Sequence, residues 1–232
     1  MSVTAASATA SLTADEIVVE SALGGNTYKL ASFSKTINLA TTGAGGMDTG
    51  TATSNGWLAI YAIYNPTTQA SALLGMMEGA SAATSVYSGA NMPSGYTAST
   101  LLVVLPISST AGQFKAALVR GRRISVPQLL TVQTSTTQST MTTFSLSGAV
   151  PKAAVRVSGE SQLVSTSASQ IGMALASDGV ANLGYQNVSA SNSTSCTGNW
   201  AIDILTVQTL YYTFANSAGT PTFSLYVSGY EI

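Results

Sequence analysis

Three observations predict an all-β chain, an antiparallel β-sandwich or jelly-roll-like fold built from two packed β units with an extended N-terminal arm. The dominant hydrophobic period is two, not 3.6. Polar turn clusters interrupt the 232 residues at short spacing, including Thr41 to Asn55, Gly89 to Ser99, Thr134 to Thr140 and Asn216 to Pro221. No stretch shows convincing helical amphipathicity. Short strands bounded by such clusters read as a sandwich, jelly roll or barrel.

The elements follow in order. Residues 1–25 are rich in Ala, Ser and Thr. Thr13-Ala14-Asp15-Glu16 fits a capping box, but the β-branched Ile17-Val18-Val19 makes a poor first helical turn, so the segment reads as an extended arm for attachment or oligomer contact. Trp57 to Tyr64, closed by Asn65-Pro66-Thr67-Thr68, is apolar on both faces and reads as a central strand; so does Leu101 to Leu105. Gln69 to Glu78 has some helical character, weakened by Gly75. Phe144/Leu146, Val155/Val157, Ile171/Met173/Leu175 and Phe223/Leu225/Val227 each alternate with small or polar residues, as half-buried strands do. Leu130-Thr-Val-Gln-Thr134 recurs as Leu205-Thr-Val-Gln-Thr209, and Thr143-Phe-Ser-Leu146 recurs as Thr222-Phe-Ser-Leu225 in the same order. This echo points to a duplicated strand pair and sets a boundary near Pro127, just after Arg120, Arg122 and Arg123. The domains expected are the arm 1–25, a first β domain 26–127 and a second 128–232.

Composition excludes several function classes. Lys and Arg number 8 and Asp and Glu 9, giving a net charge of −1 with no basic block, which argues against nucleic acid as a partner. Hydrophobic residues at 45% argue against disorder. The greasiest run, Leu101 to Ile107, contains Pro106 and falls far short of the ~20 residues of a membrane span, so no membrane insertion is expected. Met1-Ser-Val-Thr-Ala lacks the basic and apolar regions of an export signal, which predicts a soluble product of a cytoplasm.

Several long strings are distinctive: LTADEIVVESALGGNTYKL (Leu12 to Leu30), SKTINLATTGAGGMDTGTA (Ser34 to Ala52), AIYAIYNPTTQASALLG (Ala59 to Gly75), SGANMPSGYTAS (Ser88 to Ser99) and GQFKAALVRGRRI (Gly112 to Ile124). Together with SLSGAVPKAA (Ser145 to Ala154) and YVSGYEI (Tyr226 to Ile232), they resemble a module of bacteriophage and prophage tail-fibre proteins across nearly the entire chain. The resemblance implies a structural role at the virion tail and a homotrimeric state. It supplies no receptor, site or enzyme activity.

Catalytic chemistry has little to build on. Without histidine there is no Ser-His-Asp or Cys-His arrangement. Glu160, Asp178 and Asp203 are the acids that a glycosidase pair would draw on, though scattered acids are more often turn residues. Ser177-Asp178-Gly179 and Gly46-Met47-Asp48-Thr49-Gly50 read as turns rather than Ca²⁺ sites. Gly43-Ala44-Gly45-Gly46 lacks the lysine of a phosphate loop. Cys196 has no neighbouring cation to activate it and reads as buried and inert. The expectation is a protein that is not an enzyme and needs no cofactor or metal.

Recognition falls to aromatic and amide side chains. Tyr185 and Trp200 flank the polar stretch Asn187 to Asn199, read as a long loop; Tyr185, Asn187, Asn192, Asn199 and Trp200 are the receptor contacts expected for a host-surface glycan or protein. A chain with so few Lys and Glu has little to guard its strand edges, which favours covering them with identical subunits. The function expected is a virion tail fibre or tail-tip adhesin. It would attach to other virion proteins through the arm and bind the host multivalently. A capsid decoration or head-fibre protein and a non-phage carbohydrate-binding adhesin are the alternatives.

Overall fold

The computed structural model describes Met1 to Ile232 and contains thirteen β-strands and no helix. The all-β, antiparallel class expected from the alternation is the class that forms. The chain divides into two compact units, Met1–Ile124 and Ser125–Ile232. The division falls a few residues before Pro127.

The first unit comprises β1 (Ser2–Val3), β2 (Thr9–Glu20), β3 (Thr27–Asn38), β4 (Trp57–Asn65), β5 (Ala70–Met77), β6 (Ala98–Pro106) and β7 (Ala117–Arg120). A five-stranded sheet runs in the order β3-β2-β6-β4-β5, and β1 pairs with β7. Residues 1–25 are therefore not a free arm. β2 pairs with β3 along its whole length, from Thr9 opposite Asn38 to Glu20 opposite Thr27. Ala10 and Leu12 bury in its first half and Ile17 and Val19 in its second, the alternation changing phase across the exposed Asp15 and Glu16, while Ser11, Thr13 and Val18 stay outside. A segment that looks too polar for a core still buries apolar side chains, because a strand needs apolar residues only at alternate positions.

β4 is central as expected: Leu58 to Ile63 are all fully buried. Its hairpin to β5 is held by Asn65, whose Oδ1 accepts the N–H groups of Thr67 (3.0 Å) and Thr68 (3.1 Å). Gln69 to Glu78 is not a helix. Ala72 to Leu74 are buried on both faces of β5, and an added Cβ at Gly75 would meet Ile37 Cδ1 at 3.2 Å and Leu58 Cδ2 at 3.3 Å. The glycine there permits close packing and does not mark a broken helix.

The glycine-rich loop after β3 closes a sheet edge. Asn38 N–H donates to Gly45 O, Gly45 N–H to Leu73 O, Gly75 N–H to Gly46 O and Asp48 N–H to Gly75 O. These bonds tie β3 to β5, the outermost strands in the order. Gly43 and Gly45 have φ of 88° and 91°, which favours glycine in this loop.

The second unit comprises most of β8 (Arg123–Thr134), then β9 (Gln138–Ser145), β10 (Arg156–Ala176), β11 (Gln186–Asp203), β12 (Thr209–Asn216) and β13 (Pro221–Glu231). β11 covers one edge of β10 from end to end. The other edge is shared, by β13 over Arg156–Ser165 and by β12 over Ile171–Ala176. Every ribbon is interrupted near its middle: between β8 and β9, at Ser165–Gln170, near Asn192, and between β12 and β13.

These interruptions are a fold line. Laid flat, β10 would span ~66 Å, while the connection from Asp203 to Thr209 reaches at most ~20 Å. The ladder therefore doubles back, and Ser177 Oγ donates to Asp203 O at 2.6 Å although the two residues belong to opposite ends of the β10–β11 ladder. The result is a sandwich made by folding one sheet. Phe214 on β12 stacks on Phe223 on β13 across it, with centroids 4.5 Å apart and planes 5° from parallel.

Ser and Thr side chains stitch the bend. At the corner Ser165 Oγ donates to Ala218 O (2.7 Å), Ser169 Oγ to Asn216 Oδ1 (2.6 Å), and the N–H groups of Gln170 and Thr220 donate to Ser217 Oγ and Thr166 Oγ1. Hydroxyls satisfy the backbone and amide groups where the ladder breaks.

Two sequence readings fail in this unit. Asn187 to Asn199 is not a loop; it lies within β11, whose small polar residues suit a strand with both faces lightly covered. The echoed segments do not form a duplicated strand pair. Leu130–Thr134 lies in β8, whereas Leu205–Val207 is a connection and Gln208 has φ 53°. One pentapeptide adopts two conformations because pairing partners, not local propensity, decide.

Candidate functional site

Folding the sheet brings its free ends together. The β10–β11 connection (177–185) and the β11–β12 connection (204–208) meet through the Ser177–Asp203 bond. Ile204 N–H donates to Val155 O, and Leu146 N–H to Gln208 O, drawing the segment before β10 to the same end. This loop end carries most of the chain's exposed large hydrophobic side chains: Val155, Val180, Leu183, Tyr185, Leu205 and Val207. Val180 is 94% exposed and Leu205 64%, so burial in this chain does not explain them.

The loops are ordered. Asp178 Oδ1 accepts the N–H of Leu183 (2.7 Å), and its Oδ2 those of Ala181 (2.8 Å) and Val180 (3.4 Å). These donors hold its carboxyl below the usual aspartate range. Gln208 Nε2 donates to Val150 O at 2.7 Å, and Arg156 pairs with Asp203 at 3.1 Å beside the loops. The site is thus a set of apolar tips on braced turns, with a polar ion pair at the rim.

The structure scatters the five expected contacts. Tyr185 is 52% exposed at the loop end, and Asn187 is exposed just inside β11, its Nδ2 3.5 Å from the Tyr185 hydroxyl. Asn192 lies at the fold line with φ 51°, a backbone position that asparagine tolerates well. Asn199 is exposed opposite Glu160 in the middle of the ladder. Trp200 is 3% exposed, part of the sandwich core, with Nε1 lacking a hydrogen-bond partner; it is not a surface contact. The apolar tips were hidden from sequence reasoning because Leu205 and Val207 looked like an echoed strand, and Val180 and Leu183 lay beside a turn signal.

The remaining candidates are dispersed. Glu160 contacts Gln128 and Gln162, Asp203 pairs with Arg156, and Asp178 braces its own loop. No group of three His, Cys, Asp or Glu side chains converges as metal ligands. Cys196 is half-buried rather than buried, and desolvation pushes its thiol up. In the first unit, a cavity of about 360 Å³ is lined by Leu12, Ile17, Leu102 and Val119, with Arg120 and Met1 also lining it. Also in that unit, Tyr87 donates to Asp48 Oδ2 (2.9 Å) and accepts the Asn91 N–H (3.2 Å). Burial and the aspartate push its hydroxyl up to about 12.

No protein-family model matches the chain, and no curated protein is significantly similar to it.

Proposed function

We propose that this chain is a bacteriophage tail-fibre or tail-tip protein that forms a homo-oligomer and contributes to host recognition by multivalent binding. The observation that carries the recognition role is the loop end of the second unit, where braced turns present exposed apolar tips. Rigid scaffolds that display loops are a common way to build binding surfaces. The placement on a tail rests on the resemblance of the strings from Leu12 to Ile124 and of the closing segments to tail-fibre modules. A weak single contact becomes useful when several copies are held together, which a homo-oligomeric fibre provides.

Revised by the fold, attachment to the virion is assigned to the first unit as a whole and not to an arm, because residues 9–20 are part of its sheet. Immunogold labelling of particles with an antibody against the chain tests the proposal. Gold at the tail tip is expected; gold over the capsid, or no gold on particles, overturns it.

A further inference from the structure

β11 is paired on one edge only, by β10. Its C-terminal half runs in unbroken register from Ser195 opposite Val164 to Asp203 opposite Arg156. In an antiparallel ladder, alternate residues turn their N–H and C=O toward the partner. The neighbouring Ile204 N–H bonds Val155 O on the β10 side, so Ile202, Trp200 and Gly198 face β10. Ala201, Asn199, Thr197 and Ser195 therefore face the open edge.

Two of those four are capped by side chains. Ala201 N–H donates to Gln186 Oε1, and Ala201 O accepts from Gln186 Nε2. Ser195 N–H donates to Ser193 Oγ, which donates back to Ser195 O. Thr197 and Asn199 lie between the caps, exposed, with no such cap on their backbone groups. The edge is blunted at both ends and open over a window of two residues.

We infer that this window pairs with the same window of a second copy, antiparallel, about a twofold axis through Gly198. Thr197 then exchanges both backbone bonds with Asn199 of the other copy, and Asn199 with its Thr197. Four bonds form and every open group is used. The window is self-complementary in register and length, and no charged side chain lies between Gln186 and Ala201 to repel its copy. At the axis the two Gly198 Cα atoms approach to ~4.5 Å, the close spacing of a non-hydrogen-bonded pair. A longer partner strand would have to displace Gln186 and Ser193, so the caps set the register. This contact goes beyond host binding and stands or falls separately from it.

Disulfide mapping on the full chain tests it. In a Cys196→Ser background, Thr197→Cys and Asn199→Cys proteins are oxidised separately and mixed, with sedimentation followed across a wide concentration range. Opposed residues would be ~5.5 Å apart, within disulfide reach, while 197–197 and 199–199 would be roughly 8 Å apart. The mixed dimer is expected to exceed either like dimer several-fold. Amides 197 and 199 of the unsubstituted chain should gain exchange protection as concentration rises. Equal yields of all three dimers, a monomer at every concentration, or a self-associated species that leaves both amides unprotected would each overturn the inference.

Discussion

Replacing Gly198 with alanine tests whether β11 folds back on itself. An added Cβ would lie 2.6 Å from Val188 Cγ2, 2.8 Å from Cγ1 and 3.3 Å from Cβ. Val188 belongs to the other half of the same strand, opposite Met173, whereas Gly198 is opposite Ser161. If β11 ran straight, the two positions would be ~33 Å apart and independent. In the folded sandwich they compete for one space, so Gly198→Ala costs about 2 kcal/mol, a roughly 30-fold rise in the unfolding constant. Val188 can relieve this only by leaving its rotamer or by being shortened. Val188→Ala alone costs about 1 kcal/mol, as expected of a half-buried side chain, and the double variant is expected to lose less than the sum by roughly 1–2 kcal/mol. Urea unfolding read from Trp200 fluorescence, in a Trp57→Phe background, gives the cycle. Additivity within about 0.5 kcal/mol would refute the fold-back.

Two further perturbations follow from the titrating groups. Asp178→Asn weakens the bonds to the N–H groups of Val180, Ala181 and Leu183 and is expected to speed their hydrogen exchange; unchanged exchange would contradict the bracing role. The Asp178 carboxyl is held below its ordinary value of 3.8, so its contribution is present above about pH 4 and is lost as the pH falls through the lowered value. Tyr87 has the opposite sign. Between pH 10 and about 12 the unfolded tyrosine releases its proton while the folded one keeps it, so stability falls as the pH rises across that window. Tyr87→Phe should cost about 2 kcal/mol at neutral pH by removing the hydrogen bonds to Asp48 Oδ2 and from the Asn91 N–H, and should flatten that alkaline fall; Tyr61, raised by burial as well, leaves a residual slope. An unchanged alkaline slope in thermal unfolding would exclude Tyr87 as its source.

Much of the fold was legible because strand burial writes itself as alternation. Phe223, Leu225 and Val227 bury as their period predicts, and Leu58 to Ile63 form the doubly covered strand that their unbroken apolar run implied. Ile171, Met173 and Leu175 bury as well, but Gly172, Ala174 and Ala176 between them are buried too, so that stretch is covered on both faces and not half-buried, and Val155, read with Val157 as a half-buried strand, is exposed. Pairing was not legible. Nothing local distinguishes Leu130–Thr134, a strand, from Leu205–Thr209, a turn running into one. Nor does composition reveal that Ser165, Thr166 and Ser169 bend a ribbon, because a hydroxyl that caps a corner looks the same in sequence as one that faces water. The site suffered from the same ambiguity. Tyr185 was found as an aromatic beside polar residues, while Trp200, chosen on the same grounds, is drawn inside by its alternation with Asn199 and Ala201 along β11. Val180 and Leu205 become conspicuous only once the turns that hold them are shown to have no core to fill.

Adsorption of particles to host cells tests the central claim most directly, with Val180→Asp/Leu183→Asp particles compared against Val164→Asp, a partly exposed valine in the middle of β10 away from the loop end. With equal incorporation of the chain into particles, the loop-end pair is expected to lower the adsorption rate at least tenfold and Val164→Asp to leave it unchanged. Adsorption that survives the loop-end pair, or falls equally for Val164→Asp, would contradict recognition through this end of the second unit.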